Sequence, residues 1–576
     1  MSTQVCVVGK PFELPKGYKP GDFLYKLNGP WPSPPQDDNA CKVAPEVKAA
    51  RLRCKHCIPR AEEKLWNRYL GDYLKSNFPG FTSSAIDYSA NLLHVPLGES
   101  EKQEIELLVN LWVIAGKRPN LEGPDSDYPG KYPPLEDRSF TELIAHGVLS
   151  KLMSELDPPD KAIFGDYLKD KSREFWKSDL THMRVVRDTW PHEYVAPSVV
   201  LISRPQSSPP GAYDFRVDCI ALFVPTQPGG PYDKTVVLGP QDGKAWQLAK
   251  YFALQGALVR LNLIDHTMVH FPFDAINAIT KSVLPKSNRV LQLLRPHLFL
   301  SLPVDNAVLE GPYSLLNRTS TYPYSPYPAA GDEIRKLFPF YWWGSGTAHD
   351  PAESWASDRD HAFPAYKFRT EPRAIPSRYG AFLNGYYEPI LKFARGVVAS
   401  IPADGSEWDA IKWWADMVVS WIPGFPNGEA IKTGDLLAKT CASIIWNGAI
   451  VHTADHWLMH QMFEEGRPTP YIMRVEPPES ASPGVPPDDG PPAHLIDDVL
   501  PARLCDLMFF KPHSTKFLGE FKYPFEPSLD RLVEQFREAL TERDQSLHAQ
   551  FPEFGIKLDL NDPDKAQNCF ATGVQF

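Results

Sequence analysis

Two stretches decide how this chain is read: KAWQLAKYFALQGALVRLNLIDHTMVH, from Lys244 to His270, and LLAKTCASIIWNGAIVHTADHWLMHQMF, from Leu436 to Phe463. Neither contains proline, and apolar residues occupy nearly every helical face, the pattern of helices buried inside a large protein. His, Asp and Lys within the second argue against a membrane span. His266 and His270 are four residues apart, as are His452 and His456. On an α-helix that spacing stacks two imidazoles on one face, roughly 6 Å apart at the backbone. One such pair is equally a pair of hydrogen-bonded core residues, but the same spacing on both of the most apolar helices points to a metal. Imidazoles accept iron, manganese, copper, nickel or zinc. The zincin glutamate is absent, because Thr267 and Thr453 follow the first members of the pairs.

The rest of the chain supplies a large, mainly α body. Its 576 residues, 43% hydrophobic and 12% aromatic, exceed what one small core needs. From Val199 to Pro240 the runs VVLIS, DCIALFV and KTVVLG, separated by Pro and Gly, predict a small meandering sheet. Pro272 is expected to bend or interrupt the first long helix, and SLDRLVEQFREALTERDQSL near the end predicts another helix. The 59 prolines cluster in loops at Gly29 to Pro35, after Gly311 and from Val475 onward. Residues 1–120 are expected to form an N-terminal helical layer on the same body and residues 121–576 the catalytic domain.

A net charge of −11 without a run of like charges makes nucleic acid an unexpected partner. The opening MSTQVCVVGKPFELP has no basic region before a long apolar core, and no stretch has the roughly 20 clean apolar residues of a span. A cytoplasmic protein without a transmembrane segment, acting as a monomer, is expected. The scattered cysteines suit reduced thiols. Cys54-Lys55-His56-Cys57 lacks the second pair a zinc site needs, and the sequon at Asn317 carries no weight without a secretory signal.

Around the histidines the sequence resembles the lipoxygenase family. Trp246, Ala249 and Lys250 match its signature before the first metal histidine, and His266 falls at the family's distance from that tryptophan. Three residues then separate His266 from His270, as in the fungal, manganese-containing branch, a spacing that a regular helix meets without a bulge. The register continues through Asp274, Thr280, Leu284 and Leu293-Leu294-Arg295-Pro296-His297. Ile444-Ile445-Trp446 precedes His452 by the family's interval, and His456 occupies a position that is Asn or His in the family. Arg467 to Thr469, Pro470 to Arg474 and FREAL from Phe536 resemble the segments that follow. The resemblance covers roughly residues 190 to 576 and leaves no room for the usual N-terminal lipid-binding β-sandwich.

The resemblance implies a lipoxygenase-like helical domain with a small sheet and two central helices carrying the ligands. It implies a dioxygenase that inserts O2 into a polyunsaturated fatty acid or related polyene, giving a hydroperoxide. The cofactor would be one non-haem Fe or Mn ion, bound by His266, His270, His452, His456 and the carboxylate of Phe576. Asn262 stands where the family has glutamine, Leu458-Met459 replaces a Gly-Gln pair, and Val308 aligns near the residue that steers oxygen. His460 continues the four-residue series and is read as a supporting residue or, in a shifted register, as a ligand with His456. Asp265 and Asp455 are expected to pair locally rather than to ligate. The end of the chain allows two registers, one terminating at Phe576 and one at Thr572, with GVQF in surplus. The altered amides leave open a changed outcome, such as hydroperoxide isomerisation or oxidation of a non-lipid polyene, and a degenerate binding protein is a further alternative.

Overall fold

The computed structural model describes residues 135–298, 368–480 and 517–574 with short interruptions, together with 5–7, 10–12 and a few positions between 327 and 337. Of the layer expected over residues 1–120, an antiparallel pair of three-residue strands, β1 (Val5–Val7) and β2 (Lys10–Phe12), is described. The rest of that layer, Cys54 to Cys57, Asn317, Val308 and Phe576 lie outside the described residues.

The expected meander is a five-stranded antiparallel sheet in sequential order: β3 (Met153–Ser154), β4 (Arg173–Leu180), β5 (Ser198–Pro205), β6 (Arg216–Val224) and β7 (Lys234–Leu238). The β5 and β6 runs are apolar without alternation because both sheet faces are covered. Val200, Ile202, Ile220 and Leu222 face the main core. Val199, Leu201, Cys219, Ala221 and Phe223 pack instead with Phe164. The register shifts between Leu201, opposite Cys219, and Ile202, opposite Val217, so Asp218 is the extra residue of a β-bulge.

Against the sheet lies the first long helical rod. After α1 (Asp137–Ala145), α2 (Gly243–Arg260) passes through a π turn at Leu261–Asp265 into α3 (Thr267–Val283). Two side chains in the first turns of α2 fasten it to the start of α1. Trp246 Nε1 donates to Asp137 Oδ1 at 2.6 Å, and the buried Lys250 ammonium donates to the same oxygen at 2.7 Å and to the Leu135 carbonyl. Two turns on, Gln255 Nε2 donates to the carbonyls of Tyr194 and Tyr471 at 3.0 and 3.1 Å. Pro272 does not interrupt the rod as expected, since α3 continues through it to Val283. A proline forgoes one backbone hydrogen bond, and a buried helix held by packing tolerates that loss.

Further helices among the described residues include α4 (Arg378–Gly385), α5 (Tyr387–Ala399), α6 (Ser406–Val419), α7 (Asp435–Ile445), α8 (His452–Glu464) and α9 (Asp530–Gln550). A second π turn, Trp446–Val451, joins α7 to α8. The stripe Val533, Phe536, Leu540, Asp544 and Leu547 buries one face of α9, and Phe536 stacks on Phe393 of α5 at 4.2 Å. Among the described residues no helix is long and apolar enough to cross a membrane.

Candidate metal centre

Each histidine pair begins directly after a π turn. The amide of His266 donates to the carbonyl of Leu261, and that of His452 to the carbonyl of Asn447, each five residues back. Such a turn absorbs one extra residue and shifts the downstream side chains by one position against the upstream face. The His266 to His270 spacing by itself needs no bulge. The pair itself is indeed four apart along a helix, but the rod that delivers it does contain a π turn, immediately before His266.

The two rods bring all four imidazoles together. Their candidate ligand atoms lie within 4.8 Å of one another. His270 Nε2 stands 2.9 Å from His266 Nε2 and 3.1 Å from His452 Nε2. The His456 ring centre is 4.8 Å from that of His266 and 4.7 Å from that of His452. All four residues are buried. Burial holds His266 and His452 well below the ordinary histidine range, with the neighbouring rings adding to the effect, and pushes His270 down to about 3. These three rings are therefore neutral at physiological pH.

That geometry fits a metal ion. His270 Nε2 is within hydrogen-bond distance of two other Nε2 atoms, yet a neutral imidazole has one proton for its two nitrogens. Buried imidazole nitrogens that converge on one point are the donor set a cation binds in place of a proton. His460 is not part of this cluster of four.

Polar groups behind the rings are held by partners from several parts of the chain. Asn262, one turn before His266, is buried and donates from Nδ2 to the Tyr471 hydroxyl. Leu458 and Met459 are buried apolar residues and supply no amide network. Asp265 pairs locally with Arg260 at 3.4 Å, as expected. Asp455 pairs too, but with partners distant in the chain rather than locally: the residue is fully buried, Lys151 Nζ lies 2.6 Å from Oδ2, and Tyr379 donates to Oδ1 at 2.9 Å. The same Oδ2 is 3.9 Å from His266 Nδ1. Neither Lys151 nor Tyr379 was singled out in the sequence.

The C-terminal tail reaches the same region. Cys569 to Val574 is buried, and a Cβ on Gly573 would overlap the carbonyl of His297. His297 donates from Nδ1 to the Thr572 carbonyl at 2.6 Å, and its Nε2 accepts from the Tyr523 hydroxyl at 2.8 Å. Burial pushes His297 down to about 4, so this neutral tautomer is the one that serves both bonds. A cavity of about 190 Å³ borders both rods, lined among others by Lys151, Met268, Val269, Arg373 and Val451.

Comparison with solved structures places the fold. The chain has a lipoxygenase fold. It matches a calcium-dependent 11R-lipoxygenase at 13% identity, over 94% of this chain and 74% of that one, with a TM-score of 0.52. It also matches a coral 8R-lipoxygenase at 13% identity, over 84% and 76%, with a TM-score of 0.51. The anaerobic structure of a LOX deletion variant in complex with arachidonate matches at 13% identity, over 83% and 74%, with a TM-score of 0.52. No protein-family model and no curated protein matches the chain. The likeness thus lies in the fold, at 13% sequence identity.

Proposed function

We propose that this chain is a lipoxygenase-type dioxygenase that inserts O2 into a polyunsaturated fatty acid or related polyene, with one non-haem iron or manganese ion held by His266, His270, His452 and His456. The observation that carries this reading is the convergence of four buried imidazoles from two α–π–α rods in a lipoxygenase fold. Arachidonate bound to one structural neighbour supports the substrate class. The three-residue interval between His266 and His270 supports the manganese-type branch. On this reading residues 121–576 are the catalytic body, with residues 1–120 layered on it.

When bound, such an ion supplies one-electron oxidation of the substrate, coupled to loss of a proton from its carbon. The chain's own contribution is to keep the imidazoles unprotonated and convergent, to exclude water by burying all four, and to hold the tail in register. The fifth donor on this reading is the carboxylate of Phe576. Two features support it over a donor at Thr572: the tail is buried as far as Val574, and the Thr572 carbonyl is already engaged by His297. Adding one alanine after Phe576 displaces the carboxylate by up to about 3.5 Å and should collapse activity. Wild-type turnover in that variant would remove Phe576 from the ligand set.

The deciding experiment is metal analysis of the purified protein together with oxygen uptake on linoleate and arachidonate. Iron or manganese near one per chain with uptake is the expected result. The buried apolar Leu458 and Met459, where the family has Gly-Gln, favour a second reading in which the same centre isomerises a hydroperoxide or oxidises a non-lipid polyene. Metal without uptake would select that reading, and absence of metal would overturn both.

A further inference from the structure

We infer that Asp455, held between Lys151 and Tyr379, is a positioning residue that fixes the tautomer of His266 and sets how much negative charge the metal centre feels. The inference rests on the proposed four-histidine metal site and concerns the charge placed behind it. Three observations carry it. Asp455 is fully buried one residue before His456, where an aspartate must be compensated. Its Oδ1 accepts from Tyr379 at 2.9 Å, and its Oδ2 pairs with Lys151 at 2.6 Å. That same Oδ2 is also the carboxylate oxygen 3.9 Å from Nδ1 of His266, whose Nε2 faces His270.

The electrostatics follow from this placement. A carboxylate near Nδ1 favours the proton on that nitrogen, which leaves the Nε2 lone pair directed into the cluster. Four neutral imidazoles bring no charge of their own to a metal cation. Asp455 supplies a negative charge just outside them, and Lys151, paired with the same oxygen that faces His266, moderates it. Lys151 is itself held in place, since Arg373 donates to the backbone carbonyls of Lys151 and Met153 at 2.7 and 2.5 Å. The groups come from α8, from α4 and from the segment just before β3, so the arrangement depends on the whole core and not on one helix.

The test begins with metal-free protein labelled with ¹⁵N-histidine. Nitrogen NMR should show His266 protonated at Nδ1, with the signal assigned by its loss in His266→Gln. In Asp455→Asn the Nε2-protonated form should appear. Fe(II) titration should then show affinity reduced about 10- to 100-fold in this variant, the range for carboxylates that orient a metal-bound histidine. In the iron-loaded protein the reduction potential should rise in Asp455→Asn and fall in Lys151→Met. Removing one charge of a buried pair can unfold a protein, so the double variant Asp455→Asn with Lys151→Met, which leaves no unpaired charge, serves as the folded control. An Nε2-protonated His266 in the wild type, or an unchanged tautomer with Fe(II) affinity within about threefold in the double variant, would overturn the inference. Failure of the wild type to bind Fe(II) or Mn(II) would instead overturn the metal site, while the tautomer result would stand by itself.

Discussion

The rods Gly243–Val283 and Asp435–Glu464 are built alike and supported differently. Each is α, then π, then α, and each presents its first histidine directly after the π turn. Besides its ion pairs with Asp137 and within Arg260–Asp265, the first rod is held by two neutral amides: Gln255 and Asn262 both bond to Tyr471, through its backbone and its hydroxyl. The second rod carries a charge, Asp455, which reaches across to a histidine of the first. Holding one rod by amides at Tyr471 while the other carries a fully buried carboxylate that faces a ring allows position and charge to be set separately. The first rod fixes where the rings stand, and the second sets the field they stand in.

The largest effects should come where the rods are equivalent. His270→Ala and His452→Ala each remove one converging ring, so both should lose bound metal and at least about 100-fold in oxygen uptake. Full metal content in either would break the symmetry on which the site reading rests. His456→Asn should instead retain metal and measurable activity, because an amide oxygen can take the same place. Complete metal loss in that variant would show that the second rod needs both its rings.

A stability effect of intermediate size concerns His297, which fastens the tail beside the second rod. Its pKa is near 4 in the fold against an ordinary value of 6.5. The unfolded chain therefore binds more protons between these values, and this residue's contribution is fully present above about pH 6.5 and lost as pH falls towards 4. The shift corresponds to roughly 3 kcal/mol at most. In urea titrations of metal-free protein, His297→Gln should narrow the stability difference between pH 7.5 and pH 5 relative to wild type. An unchanged difference would mean that His297 is not buried neutral in the fold.

How far the sequence revealed this arrangement also divides between the rods and their support. The four histidines and the β5 to β7 runs were legible because spacing and apolar content are local properties. The π turns were not: helices apolar on nearly every face have no hydrophobic phase, so a one-residue insertion leaves no trace in the pattern. Strand β4 was missed because REFWKSDL is half-buried along most of its length and lacks clean alternation. Asp455 was visible as a residue beside a ligand, but its partners were not. Lys151 lies 304 positions away and Tyr379 lies 76, and only the fold brings them together.

The smallest effect tests the neutral side of the comparison. Tyr471→Phe removes the hydroxyl that accepts from Asn262 Nδ2 and leaves a buried amide donor without that partner, while the ring, itself fully buried, keeps its packing. An unsatisfied buried donor costs about 1 to 3 kcal/mol, so the variant should be measurably less stable to urea. No charge changes, and the backbone carbonyl of Tyr471 still accepts from Gln255, so the rod should keep its position. Metal affinity should consequently fall less than about fivefold, below the range expected for a histidine-orienting carboxylate. If Tyr471→Phe lost as much metal affinity as Asp455→Asn, the division between a positioning rod and a charging rod would fail, and Asn262 would have to act on His266 as strongly as the buried carboxylate does.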